Sequence, residues 1–309
     1  MSLTETVRVF RSLQPEDFRV LLGIELGLGS RAYVPKSEIS KYANLPAREI
    51  EFRLDRLDKL GLVLGISSRE IGYDGFVLNY AGYDCLALNA LVKSSVVSAL
   101  GKGLAVGKES DVYEGLTPQE QRLVVKFHRL GRTSFRQGRR KRSYVADRSH
   151  ITWYYQSRLS AEREFSILRG LTKEGVSVPR PLGHNRHVVV MELIAGLELN
   201  DVGEIEQPRL LLKQIMSNIR LAYTKARLIH ADLSKFNIVV TPLGASFIID
   251  WPQAVKTSHP NADELLRRDL QNVLSFFKKR FGADYDFEKV VSYVQGIGKT
   301  IGRPKSARG

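Results

Sequence analysis

Cysteine is almost missing from this chain of 309 residues: Cys85 stands alone. A single thiol excludes an internal disulfide and fits a reducing, cytoplasmic setting, where its expected role is that of a small core hydrophobe. Long apolar runs are missing as well. None approaches the roughly 20 residues that cross a bilayer, so no membrane partner is expected. The start, MSLTETVRVF, lacks the charged-then-apolar layout of a secretion signal. The histidines show no metal-binding spacing such as HExxH, and no internal repeat is present. Acid is in short supply: 47 Lys and Arg face 33 Asp and Glu, a net charge of +14. That excess favours polyanionic partners, chiefly nucleic acid or an acidic surface. With 43% hydrophobic and 26% charged residues, the chain reads as globular and long enough for about two domains.

Periodicity divides the chain. Apolar residues at helical spacing predict helices over 8–13, 15–28, 35–43 and 47–60. In the last of these Ile50, Leu54, Leu57 and Leu60 form one face, and Gly61 ends it. Strand-like runs at 62–66 and 75–79 flank the turn-rich SSREIGYDG, and 83–93 closes as a helix. Helices followed by a hairpin make a winged helix, expected over 1–92. The candidate recognition helix sets Arg48, Arg53, Arg56 and Lys59 against Glu49, Glu51, Asp55 and Asp58. Its charges cancel, so sequence-specific DNA reading is not expected and binding to rRNA or a ribosomal particle is favoured over it. Beyond residue 100 a strand is predicted at 123–127, helices at 160–171, 210–226, 262–280 and 286–294, and a hairpin from 237–240 and 246–250. Between 129 and 148 lie Arg129, Arg132, Arg136, Arg139, Arg140, Lys141, Arg142 and Arg148 against Asp147 alone, half the net charge of the chain. The simplest expectation for such a run is a solvated, partly disordered loop.

The strongest chemical signal is IHADLSKFNIVV at 229–240, followed by FIIDWP at 247–252. Phosphoryl transfer from ATP needs a carboxylate to orient the acceptor and a divalent cation held by oxygen ligands. Magnesium takes one or two protein oxygens and completes its octahedron with phosphates and water. Asp232 is the expected catalytic base, with Asn237 and Asp250 as metal ligands at strand ends. Upstream, Gly107, Lys108, Glu109, Ser110 and Val112 form a candidate phosphate-covering loop. Lys126, a charge inside the buried-type strand VVKF, needs a phosphate or carboxylate partner. Glu164 is the candidate carboxylate and Glu162 the runner-up, since spacing alone leaves the helix phase open. Met191, Glu192 and Ile194 follow an apolar strand and are expected to meet adenine. His230 reads as a structural hydrogen-bonding residue.

These motifs, GKESDVY, VVKFHRLGRTSFR, AEREF, IHADLSKFNIVV and IIDWPQAV, resemble the RIO-type atypical serine/threonine protein kinases, in particular the second subfamily with its N-terminal winged helix. The resemblance runs over roughly 5–290. It implies an α+β chain: a winged-helix domain, then a two-lobed kinase-like domain over 93–296 with an N-lobe at about 93–190, a hinge at 191–195 and a C-lobe at 196–296. A basic tail, 297–309, follows. It also implies ATP with magnesium or manganese, work on the small ribosomal subunit precursor and its rRNA, autophosphorylation on serine, and an ATPase switch through a phospho-aspartate at Asp250. The family's mobile loop falls on 131–158, and a chain stopping this soon after the kinase domain fits an archaeal member. There are departures. Ala231 stands where typical kinases have arginine and this family often has glycine, and Trp251 replaces the usual phenylalanine. No Ala-Pro-Glu segment follows, which leaves no room for an ordinary peptide-docking platform. Two rivals stand beside this reading: a small-molecule phosphotransferase of the aminoglycoside type, and a winged-helix nucleic-acid binder whose kinase lobe is scaffold.

Overall fold

The computed structural model describes residues 1–130 and 146–302. They fall into two compact units, Met1–Ala161 with Gly183–Val190, and Glu162–Leu182 with Met191 onward.

The first unit begins with α1 (Leu3–Phe10), α2 (Pro15–Gly27), β1 (Val34–Pro35), α3 (Lys36–Ala43) and α4 (Ala47–Lys59). The first helix starts five residues before the predicted 8–13 because Ser2 and Glu5 form a capping box, each side chain meeting the other's backbone N–H. Helix α4 forms as expected: Ile50, Leu54 and Leu57 are buried, and Gly61 stops it at φ +68°. Strands β2 (Val63–Ile66) and β3 (Gly75–Leu78) pair antiparallel, and β1 adds to β3, giving the order β1-β3-β2 of a winged helix. The loop between them carries a short helix, α5 (Ser68–Ile71), which the turn-rich sequence hid. Helix α6 (Tyr80–Lys93) starts three residues earlier than predicted, capped by Asn79, whose side chain accepts from the Gly82 N–H. Only glycine fits at 82, since a Cβ there would lie 2.2 Å from the Leu62 carbonyl oxygen. Val20, Leu21, Ile24, Ile39, Leu62 and Cys85 share one core with the α4 face. Each large aliphatic side chain there contributes about 1.5–3 kcal/mol of burial. Cys85 is the core hydrophobe expected, its thiol pushed up by burial.

A five-stranded sheet follows, in the order β4-β5-β6-β8-β7. Its strands are β4 (Ala99–Val106), β5 (Ser110–Leu116), β6 (Arg122–His128), β7 (Pro181–Asn185) and β8 (Val188–Glu192). A polar pin within the first unit ties this sheet to α6. Arg129 donates to both oxygens of Asp84 at 2.6 and 2.9 Å and to Asp111 at 2.9 Å, while His187 Nε2 lies 2.8 Å from Asp84. All four side chains are buried. Burial opposes the charge on Asp84, but Arg129 and His187 outweigh it and hold the carboxyl below its usual range. Helix α7 (Ala146–Lys173) begins well before the predicted 160. The part of the expected mobile loop at 146–158 is therefore helical; Tyr154 and Ser157 extend upstream the buried face that Ala161, Leu168 and Leu171 form. Arg132, Arg136, Arg139, Arg140, Lys141 and Arg142 lie outside the described residues, as do the last seven residues of the tail.

The second unit continues from α7 into β9 (Leu197–Glu198), α8 (Pro208–Thr224), β10 (Leu228–Ile229), β11 (Ile238–Val240), β12 (Ser246–Ile248), β13 (Val255–Lys256), α9 (Ala262–Phe281) and α10 (Phe287–Val294). The predicted hairpin is β11–β12, in register from Ile238↔Ile248 to Val240↔Ser246, and β9 flanks β11 at the sheet edge. Leu266, Leu270, Val273 and Phe277 of α9 and Leu212, Ile215 and Met216 of α8 are buried, as their helical spacing predicts.

Candidate active site

The loop from β10 to β11 carries Asp232 and Asn237, and its two ends meet one residue of the neighbouring strand. His230 Nε2 lies 2.9 Å from the Ile249 carbonyl oxygen, and the Ile249 N–H donates to the Asn237 carbonyl at 2.9 Å. Asp250 is the next residue, so Asn237 and Asp250 flank the open end of one hairpin, with Asp232 in the loop that leads into it. The Asn237 side-chain oxygen accepts from Ser234 Oγ at 2.8 Å, which orients the amide. Asp232 and Asp250 are exposed, and Asn237 is half-buried. Trp251, only 1% exposed, donates its indole N–H to the Ile248 carbonyl at 3.0 Å and packs on His230 at 4.6 Å. A phenylalanine could fill that space but not make the bond. His230 is thus structural, as its sequence context suggested.

Two residues here take left-handed backbone without being glycine: Ala231 at φ +66° and Asp250 at φ +65°. Such conformations cost energy and persist where surrounding bonds over-determine them. At Ala231 those bonds come from α9, a contribution not foreseen from sequence. Asp269 accepts the Ala231 N–H at 2.7 Å and the Leu233 N–H at 3.0 Å; Asn272 donates to the Leu233 carbonyl at 3.0 Å, and Arg268 to the Ala231 carbonyl. Burial raises the Asp269 carboxyl to about 6, against the lowering effect of the two backbone donors. The available signal was a carboxylate on the apolar face of α9, one position before Leu270.

The expected nucleotide contacts occupy both units. Gly107, Lys108 and Glu109 form the tight β4–β5 connection, closed by a Gly107 N–H bond to the Ser110 carbonyl at 2.8 Å. Ser110 and Val112, expected in that loop, stand on β5 instead. The Asp111 side chain between them points inward to Arg129, which broke the apolar alternation a strand would show. Lys126 is buried on β6, opposite Val112 in register. On α7, Glu164 is 1% exposed whereas Glu162 faces solvent, which settles the helix phase left open by spacing. Met191 is buried at the end of β8, and the Glu192 N–H donates to the Arg180 carbonyl at 2.9 Å. Ile194 is half-buried. Among the described residues no cluster of three His, Cys, Asp or Glu side chains could cage a metal. One amide and one carboxylate oxygen, with phosphates supplying the rest, suit magnesium better than a caged transition metal.

The family model of the RIO domain matches residues 111–290, and that of the Rio2 N-terminal domain matches residues 10–94. The chain belongs to the Rio2 branch of the RIO family. A RIO-type serine/threonine-protein kinase Rio2 of Methanocaldococcus jannaschii is 43% identical over 263 residues, 84% of this chain and 94% of that protein. The serine/threonine-protein kinase rio2 of Schizosaccharomyces pombe is 38% identical, covering 89% of this chain and 79% of its own. The Rio2 kinase of Chaetomium thermophilum, in a crystal structure of an ADP/Mg2+-phosphoaspartate complex, superposes with a TM-score of 0.80 at 34% identity over 94% of this chain and 88% of that one. A Rio2 N-terminal domain followed by a RIO kinase domain is thus the architecture, and the enzyme class is that of RIO-type serine/threonine-protein kinases. The aminoglycoside-type reading is dropped accordingly.

Proposed function

We propose that this Rio2-family chain transfers the γ-phosphoryl group of ATP, with magnesium, and that its work lies in maturation of the small ribosomal subunit. The observation that carries the chemistry is the shared anchoring of the Asp232 loop and Asp250 on Ile249. Asn237 and Asp250 would hold the metal, which when bound neutralises charge on the phosphates. Gly107, Lys108 and Glu109 would cover the phosphates, flanked by Ser110 and Val112. Lys126 would bind them, oriented by Glu164, whose burial favours it over Glu162. Adenine would rest against Met191 and meet the Glu192 carbonyl and the Ile194 N–H. Asp232 would orient the acceptor, whether a serine hydroxyl, a water that attacks ATP, or the water that takes the phosphoryl group from Asp250. In support of the last route, the Chaetomium relative has been crystallised with a phosphoaspartate. The net charge of +14 supports an rRNA-bearing partner.

The test incubates purified protein with γ-labelled ATP and magnesium, with and without small ribosomal subunits. Free phosphate and protein-bound label are measured, and the label is challenged with hydroxylamine. Subunit-stimulated phosphate release with a hydroxylamine-labile label, lost in Asp250→Asn, is the expected result. Turnover should fall by roughly 100-fold or more in Asp232→Ala while ATP binding persists. Unchanged turnover in that variant would sink the role given to Asp232, and RNA binding with neither release nor label would leave the scaffold reading.

A further inference from the structure

The second unit contains a cavity of about 630 Å³ lined by none of the residues to which the phosphotransfer reading gives a role. Its walls are β9, the segment before α8, the first turns of α8 and the β11–β12 turn, and Leu197, Val202, Ile205, Leu210, Val240 and Leu243 supply the apolar lining. Three of these leucines project into solvent: Leu197 is 59% exposed, Leu210 49% and Leu243 97%. Leu243 owes its exposure to a tight turn, in which the Gly244 N–H donates to the Thr241 carbonyl at 2.9 Å with Gly244 at φ +77°. Turn tips ordinarily carry polar residues, and single exposed leucines mean little. Three leucines from three elements around one concavity form a patch of the kind that marks a binding surface. The backbone is shaped for the same opening: Gly196 lies so close to β11 that a Cβ would stand 2.4 Å from the Val240 carbonyl oxygen.

Charge selects the occupant. From Val188 to Pro208 the chain has five acids, Glu192, Glu198, Asp201, Glu204 and Glu206, and no Lys, Arg or His, in a molecule of net charge +14. Glu204 and Glu206 line the cavity itself and are exposed. A nucleic acid is repelled by such a rim, and a purely apolar ligand gains nothing from it.

We propose that this groove docks an extended segment of a protein partner, one that carries a bulky apolar side chain flanked by Lys or Arg. The apolar side chain enters between Leu197, Leu210 and Leu243, and the bases meet Glu204 and Glu206. Such docking holds a partner to the kinase domain independently of nucleotide.

The experiment selects a displayed library of random 12-residue peptides against the full-length chain, with the Leu243→Glu variant as a counter-selection. Leu243 is so exposed that this change leaves folding and ATP turnover intact. The expected winners pair a large apolar residue with nearby Lys or Arg. Their affinity, by fluorescence anisotropy without ATP, should fall roughly tenfold or more on Leu243→Glu and on the double change Glu204→Lys with Glu206→Lys, and should weaken with salt. Three outcomes overturn the proposal: no enrichment over the counter-selected variant, winners without basic residues, or peptides that bind both proteins alike. A concentration-dependent dimer that Leu243→Glu dissociates would also overturn it, by giving the face to a second copy of the chain.

Discussion

At the scale of single residues, the loop proposed to carry the catalytic aspartate keeps a conformation that the side chain of Ala231 resists. Ala231 sits at φ +66° with three α9 side chains holding it and its neighbour. Ala231→Gly should therefore stabilise the fold by about 0.5–1 kcal/mol, since glycine adopts that backbone freely, less its greater chain entropy when unfolded. A urea midpoint checks the sign. Two buried ionisable groups act in opposite directions on the pH dependence of stability. His187 is held down to about 4 from 6.5 by burial, against the pull of Asp84. Its unfolded form binds the extra proton, so it favours the fold above pH 6.5 and loses that contribution as pH falls towards 4. Asp269 is raised from 3.8 to about 6, so its contribution is full below 3.8 and is lost as pH rises through 6. Between pH 4 and 6, relative to wild type, His187→Gln should flatten the acid loss of stability and Asp269→Asn should steepen it, as read from melting temperatures across that range.

At the scale of elements, α9 is the part whose role the sequence concealed. The helix itself was legible from Leu266, Leu270, Val273 and Phe277, and the hairpin from its apolar runs. What those patterns do not carry is that Asp269 would meet two amide groups more than 30 residues away in sequence. Asp269→Ala strips both amides of their partner in a buried setting, at a cost of about 1–3 kcal/mol. It should lower turnover with little change in ATP affinity, because it displaces Asp232 and touches none of the nucleotide contacts. Single-turnover and binding measurements on the same variant separate the two effects. The elements that were misplaced or went unread each have a local cause. α1 depends on a Ser2–Glu5 cap and not on a long apolar face. α5 is a single turn within a loop. β5 hides behind Asp111, an inward carboxylate where alternation calls for an apolar residue. Asp232, Asn237 and Asp250 were easier to single out than these elements, because the phosphotransfer proposed for them tolerates few other residue types, whereas the phase of Glu164 needed the helix itself.

At the scale of the whole molecule, Arg129 decides how the N-terminal helices and the five-stranded sheet of the first unit hold together. It neutralises Asp84 from α6 and Asp111 from β5 at once, and its N–H donates to the Glu109 carbonyl at 2.6 Å in the β4–β5 connection. Arg129→Met removes the cation but leaves two buried carboxylates, a loss of about 3–5 kcal/mol. Limited proteolysis should then cut between α6 and β4 faster than in wild type. If the pin is spent only on stability, adding Asp84→Leu and Asp111→Leu to Arg129→Met should recover much of the loss.

The run without a base from Val188 to Pro208 is a local exception to the charge of the chain. Whatever polyanion the net charge of +14 favours, this stretch repels it, so the proposed groove stays open to a base-bearing protein segment even with a polyanion bound elsewhere.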